Sequence, residues 1–124
     1  KYTGKKLGAI KAFETALDKI AERTGGNPLQ TFVDAICNGA PMEEITRIKF
    51  GAVSQPKAVD SAPMRRLDVA LRHLAKGAQS GTYKSKRTLT QCIINEISKA
   101  ADGDATSFAI SKKEEVERIA ASAR

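Results

Sequence analysis

The apolar residues of this chain leave helical spacing over one short stretch, and that interruption limits what it can fold into. Over residues 4–23, Leu7, Ile10, Phe13, Leu17 and Ile20 recur at helical spacing, and Gly25 suits the stop. In "GNPLQTFVDAICNGAP", Asn27 fits an N-cap, Pro28 the first helical position and Gln30 a capping box. Leu29, Phe32, Val33 and Ile36 make one face of this second helix, and Gly39 and Pro41 close it. At residues 45–60 the period falls to two. Thr46, Ile48 and Phe50 alternate with Arg47 and Lys49, which predicts a strand. "GAVSQP" then reads as a hairpin connection and "KAVD" as the returning strand. Two strands are marginal alone, so this hairpin must lean on helices or project from them.

Helical spacing then resumes. Pro63 opens a third helix with Met64, Leu67, Leu71, Leu74 and Ala78 on one stripe, fading near Gly77 and Gly81 into "TYKSKR". Thr88 and Gln91 make a second capping box before Leu89, Ile93, Ile97 and Ala100. "ADGDATS" is a loop, and "SKKE" at Ser111–Glu114 predicts the start of a last helix through Val116, Ile119, Ala120 and Ala123. The expected fold is mainly α: five helices and one inserted hairpin, in a single domain of 124 residues.

Charge separates this chain from an ordinary helical domain. It has 21 Lys and Arg against 14 Asp and Glu. Within residues 44–87 stand ten cations (Arg47, Lys49, Lys57, Arg65, Arg66, Arg72, Lys76, Lys84, Lys86 and Arg87) and three acids (Glu44, Asp60 and Asp68). That segment holds the whole net charge of +7, and the remaining residues sum to zero. A surface built only for solubility intersperses the two signs, as Glu14, Asp18 and Glu22 do in the first helix. A localised excess is the footprint of phosphate binding.

Other functions find no support. There is no run of 18 apolar residues, so no helical membrane span is expected. Cys37 and Cys92 lie in apolar helical patterns and read as buried thiols of a reducing compartment, in preference to a disulfide. Two cysteines and one histidine, His73, do not make a metal centre. His73 reads as a partly exposed imidazole or a backbone contact in preference to a general base. Glu43–Glu44 and Glu114–Glu115 are adjacent pairs whose side chains diverge. No catalytic residue, metal site or cofactor is expected. Two binding functions remain: a structural RNA-binding protein, or an architectural DNA-bending protein with a basic β-arm. The hairpin is short, and further cations cluster at "YKSKR" and "SKK". Anchors spread over one globule suit a folded RNA better than a duplex groove.

The string "NPLQTFVDAI", followed by "EEITRI" and then "PMRRLDVALR", resembles the small-subunit ribosomal protein family S-seven in its archaeal form, whose eukaryotic counterparts are called S-five. The likeness extends to "GKKLGAIKAFETAL" near the start and "SFAISKKEEVERIAASAR" at the end. It implies a bundle of six helices with a β-hairpin between the third and fourth. The five helices here would be the second to sixth, without the family's basic arm and first helix, which would expose an apolar stripe on the first or fourth helix as numbered here. It also implies a monomer in the cytoplasmic ribosome that binds the ribosomal RNA of the small-subunit head early in assembly, beside neighbouring head proteins.

By position, the resemblance assigns RNA contacts to Lys5 and Lys6, to Arg47 and Lys49 of the hairpin, and to Arg65 and Arg66 of the next helix; the localised charge adds Lys57 and Arg72. The resemblance also assigns Lys84, Lys86 and Arg87 of the interhelical loop, and Lys112, Lys113, Arg118 and Arg124 of the last helix. The tip, Gly51, Ala52, Val53, Ser54, Gln55 and Pro56, would lie near exit-site tRNA and messenger. Four departures stand out: Met42 for a usual Arg, Gly51-Ala52 for Gly-Gly, Ser61-Ala62 for Val-Ser, and Gly81-Thr82 for small alanines. The third weakens or shifts the cap before Pro63, and the fourth is expected to loosen the end of that helix.

Overall fold

The computed structural model describes residues 4–83 and 86–123, with Phe50 described by its backbone alone. It contains α1 (Lys6–Thr24), α2 (Pro28–Gly39), β1 (Glu43–Phe50), β2 (Val53–Asp60), α3 (Pro63–Thr82), α4 (Leu89–Ala101) and α5 (Phe108–Ser122). The mainly helical class and the inserted two-stranded hairpin are both present.

Local chemistry sets most of the boundaries. Gly25 closes α1 at φ 67°, a left-handed conformation open to glycine, with its N–H donating to the Ala21 carbonyl. The Asn27 side chain accepts from the Leu29 N–H at 3.0 Å, and Pro28 follows at the first position of α2. Gln30 does not complete a capping box; its Nε2 donates to Asp34 Oδ1 at 2.9 Å along the helix. Thr88 accepts from the Gln91 N–H at 3.2 Å at the start of α4. Before α3 no side chain caps the helix, and the Ser61 hydroxyl is buried without a partner.

α4 is the centre of the bundle. It touches α1, α2, α3 and α5, and buries Leu89, Cys92, Ile94, Ile97 and Ala100. Ala16 and Ile20 of α1, Ala35 of α2, Leu74 of α3, and Ala109 and Ile110 of α5 pack into the same core. Phe13 and Phe32 meet edge to face at 5.1 Å, joining α1 to α2. Asn38 ties α2 to the end of α4 by donating to the Ala100 and Ala101 carbonyls, both at 2.9 Å.

Three sequence expectations about the helices are corrected. α3 does not fade near Gly77 and Gly81 but runs on to Thr82, and both glycines are close-packing positions. A Cβ on Gly81 would lie 3.0 Å from Cys92 Sγ, and one on Gly77 would lie 2.7 Å from Glu96 Cδ and 2.8 Å from Phe108 Cβ. α5 starts at Phe108, a turn before the "SKKE" box, because its N-terminus is capped from another element. Glu96 of α4, almost fully buried, accepts from the Ser107 hydroxyl at 2.8 Å and the Ala109 N–H at 3.0 Å. This carboxylate satisfies two donors at the positive end of α5, and such a contact is invisible in local sequence. Cys92 is buried as expected, whereas Cys37 is exposed; both are free thiols.

The apolar stripes are wider than the surfaces they cover. Leu7 is 77% exposed, Leu29 59% and Met64 76%, and Ile10, Val33, Leu67 and Leu71 are open as well. Phe13, Phe32, Leu71, Leu74, Ile93 and Ile97 line a groove of about 220 Å³ among the first four helices. The most open side chains stand on α1, α2 and α3, while α4 forms the floor.

Candidate nucleic-acid interface

The hairpin is longer and its turn tighter than the alternation suggested. β1 pairs with β2 from Glu43↔Asp60 to Phe50↔Val53, leaving Gly51 and Ala52 as a two-residue turn. Gly51 adopts φ 59° there. Val53, Ser54, Gln55 and Pro56 are strand residues, not connection. Counted from the turn, Arg47↔Pro56 is a non-hydrogen-bonded pair, so the missing proline N–H breaks no ladder bond.

Register decides where the hairpin cations point. Arg47 and Lys49 share one face with Pro56 and Ser54. Lys57 stands opposite Thr46, on the other face, with Ile48 and Gln55. Ile48 is half-buried, and with Gln55, Pro56, Lys57 and Ala123 it lines a shallow recess between the hairpin and the end of α5. Arg47 and Lys49 are exposed, as strand alternation with the half-buried Ile48 requires; the Phe50 side chain lies outside the described residues. The three hairpin cations therefore form two surfaces. Among the described residues, no carboxylate comes within ion-pair reach of Arg47, Lys49 or Lys57.

The cations on the helices are held differently. Arg65 Nε lies 3.2 Å from Glu44 Oε2, which ties the start of α3 to the hairpin base, and its Nη1 lies 4.0 Å from Asp68. Arg72 Nε lies 3.1 Å from the other Asp68 oxygen. Arg66 is half-buried, and its Nε is buried without a hydrogen-bond partner. Lys112 pairs with Glu115 at 3.3 Å and Lys113 with Glu117 at 3.8 Å along α5. Lys5, Lys6, Lys86, Arg87 and Arg118 are exposed, while Lys84 and Arg124 lie outside the described residues.

The helix ends add to the field. None of the five helices carries an acid in its first turn. Acids are the stabilising choice there; Glu96 of α4 supplies one to α5 from outside, while α1 and α3 begin with cations instead. α1 opens on Lys5 and Lys6, and α3 places Arg65 and Arg66 in its first turn. Sequence reasoning missed one cluster. Arg23, from the last turn of α1, meets Arg87, Gln91 and Asn95 around a polar groove of about 190 Å³ floored by Ile94. Gln91 and Asn95 are one turn apart on α4, and that spacing was the available signal. Among the described residues there is no group of three potential metal ligands, and no helix is long and apolar enough to cross a membrane.

A family model for "Ribosomal protein S7p/S5e" matches residues 1–124. The chain belongs to the ribosomal protein S7p/S5e family. Within that family it is 52% identical over 124 residues to the small ribosomal subunit protein uS7 of Thermoplasma volcanium, covering all of this chain and 67% of that protein. It is 49% identical to uS7 of Archaeoglobus fulgidus over 122 residues, covering 98% of this chain and 63% of the relative. With uS7 of Picrophilus torridus it shares 48% over 124 residues, covering 66% of that chain. The chain thus spans about two thirds of the length of these S7p/S5e relatives.

Proposed function

We propose that this protein is a structural constituent of the small ribosomal subunit, with ribosomal RNA and neighbouring ribosomal proteins as its partners and no catalytic role. Its place is then the cytoplasmic ribosome. One observation carries the reading: in a member of a ribosomal protein family, the entire net charge falls within residues 44–87, the segment that includes the projecting hairpin. Arg47 and Lys49 on one hairpin face, Lys57 on the other, Arg65, Arg66 and Arg72 on α3, and Lys84, Lys86 and Arg87 before α4 are the proposed phosphate contacts. Lys5 and Lys6 extend them at the start of α1, Lys112, Lys113 and Arg118 extend them along α5, and Arg124 is the last proposed contact. Several cationic surfaces facing different ways suit an RNA that folds around the protein.

In finer detail, the RNA is that of the subunit head, and binding supports early assembly of the head. The hairpin tip, Gly51 to Pro56, carries no charge and reaches toward exit-site tRNA and messenger. An uncharged tip adds shape without releasing counterions, which fits a positioned wedge better than an anchor.

Ultraviolet crosslinking of the chain in cell lysate, with sequencing of the attached nucleic acid, tests the assignment. Small-subunit ribosomal RNA is expected, concentrated in the head. Dispersed DNA would favour an architectural DNA-bending protein, and no attached nucleic acid would remove the RNA reading altogether.

A further inference from the structure

α5 returns along α3, and their seam is unusually close where they first meet. Gly77 has no side chain, so Phe108 and Glu96 can press against the α3 backbone. His73, one turn earlier on α3, sets its ring edge-on to Phe108, with centroids 6.3 Å apart and planes at 81°. The Lys112 ammonium lies 5.6 Å from the centre of the same phenyl ring. Lys76 follows His73 by one turn of α3, and Arg66 precedes it by two on the same side. His73 Nδ1 is buried and, like Arg66 Nε, has no hydrogen-bond partner.

We infer that His73, Lys76 and Lys112 form a phosphate-binding subsite on the α3–α5 seam, where docking of an RNA phosphate is coupled to uptake of one proton by the imidazole. This rests on the RNA-binding reading above. It adds His73 and Lys76, which neither spacing nor family likeness assigned, and gives Lys112 a defined task.

The charges around the imidazole explain the coupling. Lys76 stands on its own helix, and α5 contributes Lys112 and Glu115. α4 contributes Glu96, whose Oε1 is already occupied by Ser107 and Ala109. In the free chain, burial holds the His73 pKa below the ordinary 6.5; Lys76 and Lys112 lower it further, and Glu115 opposes them. The ring is therefore neutral at pH 7. A phosphodiester between Lys76 and Lys112 brings one negative charge beside the imidazole and opposes the two ammonium groups that disfavour its protonation. Protonation, disfavoured in the free chain, then becomes favourable. The seam also has an entry: the Lys112–Glu115 pair is half-exposed on both sides, so a phosphate can displace that carboxylate at small cost.

The test measures affinity for a small-subunit ribosomal RNA transcript of Thermoplasma volcanium between pH 5.5 and 8 at constant ionic strength. Wild-type affinity should rise on acidification, by at most about tenfold per pH unit because one proton is taken up. His73→Gln should lose this rise, so that its affinity stays flat across the same pH range. Lys76→Gln and Lys112→Gln should each lower the salt slope, the double variant by roughly 0.7 to 0.9 for the one phosphate they share, and each should shrink the pH dependence. Identical pH profiles for wild type and His73→Gln would overturn the inference while leaving the RNA reading intact; no binding at any pH would overturn that reading itself. His73 is the only histidine in the chain, so its imidazole resonances need no assignment. Its pKa should be higher in the RNA complex than in the free chain, and an equal or lower value would also sink the proposal.

Discussion

At the scale of single residues, two positions hold most of the hidden information. Gly77 reads in the sequence as a helix-weakening residue, yet a Cβ there would collide with Glu96 and Phe108. Gly77→Ala gains about 1 kcal/mol of helix propensity and incurs an overpacking cost of about 1–3 kcal/mol, so a net loss of up to about 2 kcal/mol is expected in urea unfolding. Gly26→Ala, with only Thr24 Oγ1 at 3.9 Å, should change stability by no more than about 0.5 kcal/mol. His73 makes a second prediction. Its folded pKa lies below 6.5, so the unfolded chain binds more protons as pH falls through and below 6.5. Stability should therefore be full above that pH and decline as pH drops toward the folded pKa. His73→Gln should lessen the decline, measured as the urea midpoint against pH; an equally steep curve would show that other groups cause it.

At the scale of elements, the hairpin was legible as a change of period, but its length and the direction of its cations were not. Strand alternation is a local property, whereas the partner of each residue depends on where the turn closes. Gly51 and Ala52 close it, and that register puts Lys57 on the face opposite Arg47 and Lys49. The consequences are measurable in salt. Replacing Arg47 and Lys49 together by Gln should lower the slope of log K against log salt by roughly 0.7 to 0.9 for each phosphate left without its cation. Arg65→Gln should lower it less, because Glu44 and Asp68 already offset that guanidinium. Ala52→Ser with Val53→Ser removes apolar surface at the tip without changing charge. It should leave the slope unchanged and alter reading-frame accuracy in assembled subunits. A slope change as large as that of the Arg47 and Lys49 variant would make the tip an anchor.

At the scale of the whole molecule, the open groove matters most. Helical periodicity identified Leu7, Ile10, Leu29, Val33, Met64, Leu67 and Leu71 as stripe residues, yet packing among the five helices leaves them exposed. The buried set leans instead on alanines and on α4: Ala16, Ala35, Ala70, Ala78, Ala100, Ala109 and Ala120 pass under close contacts that large side chains would hold apart. So much apolar surface in water weakens the driving force for folding. The free 124-residue chain should melt at low temperature and aggregate, and small-subunit ribosomal RNA should raise its melting point with concentration, as ligand linkage requires. A high melting temperature that RNA does not move would contradict this.

The sequence by itself determined the helical class, the place of the hairpin and the confinement of the charge. Those depend on period, on caps such as Asn27 and Thr88, and on composition, all carried by neighbouring residues. The tertiary structure alone decided which stripes are covered, why α5 begins at Phe108, and which cations face solvent or a carboxylate. Each of those rests on contact between residues distant in the chain: Glu96 against Ser107 and Ala109, Gly77 against Phe108, Arg65 against Glu44. No period or motif records such meetings, because the bundle creates them only when α3, α4, α5 and the hairpin base come together.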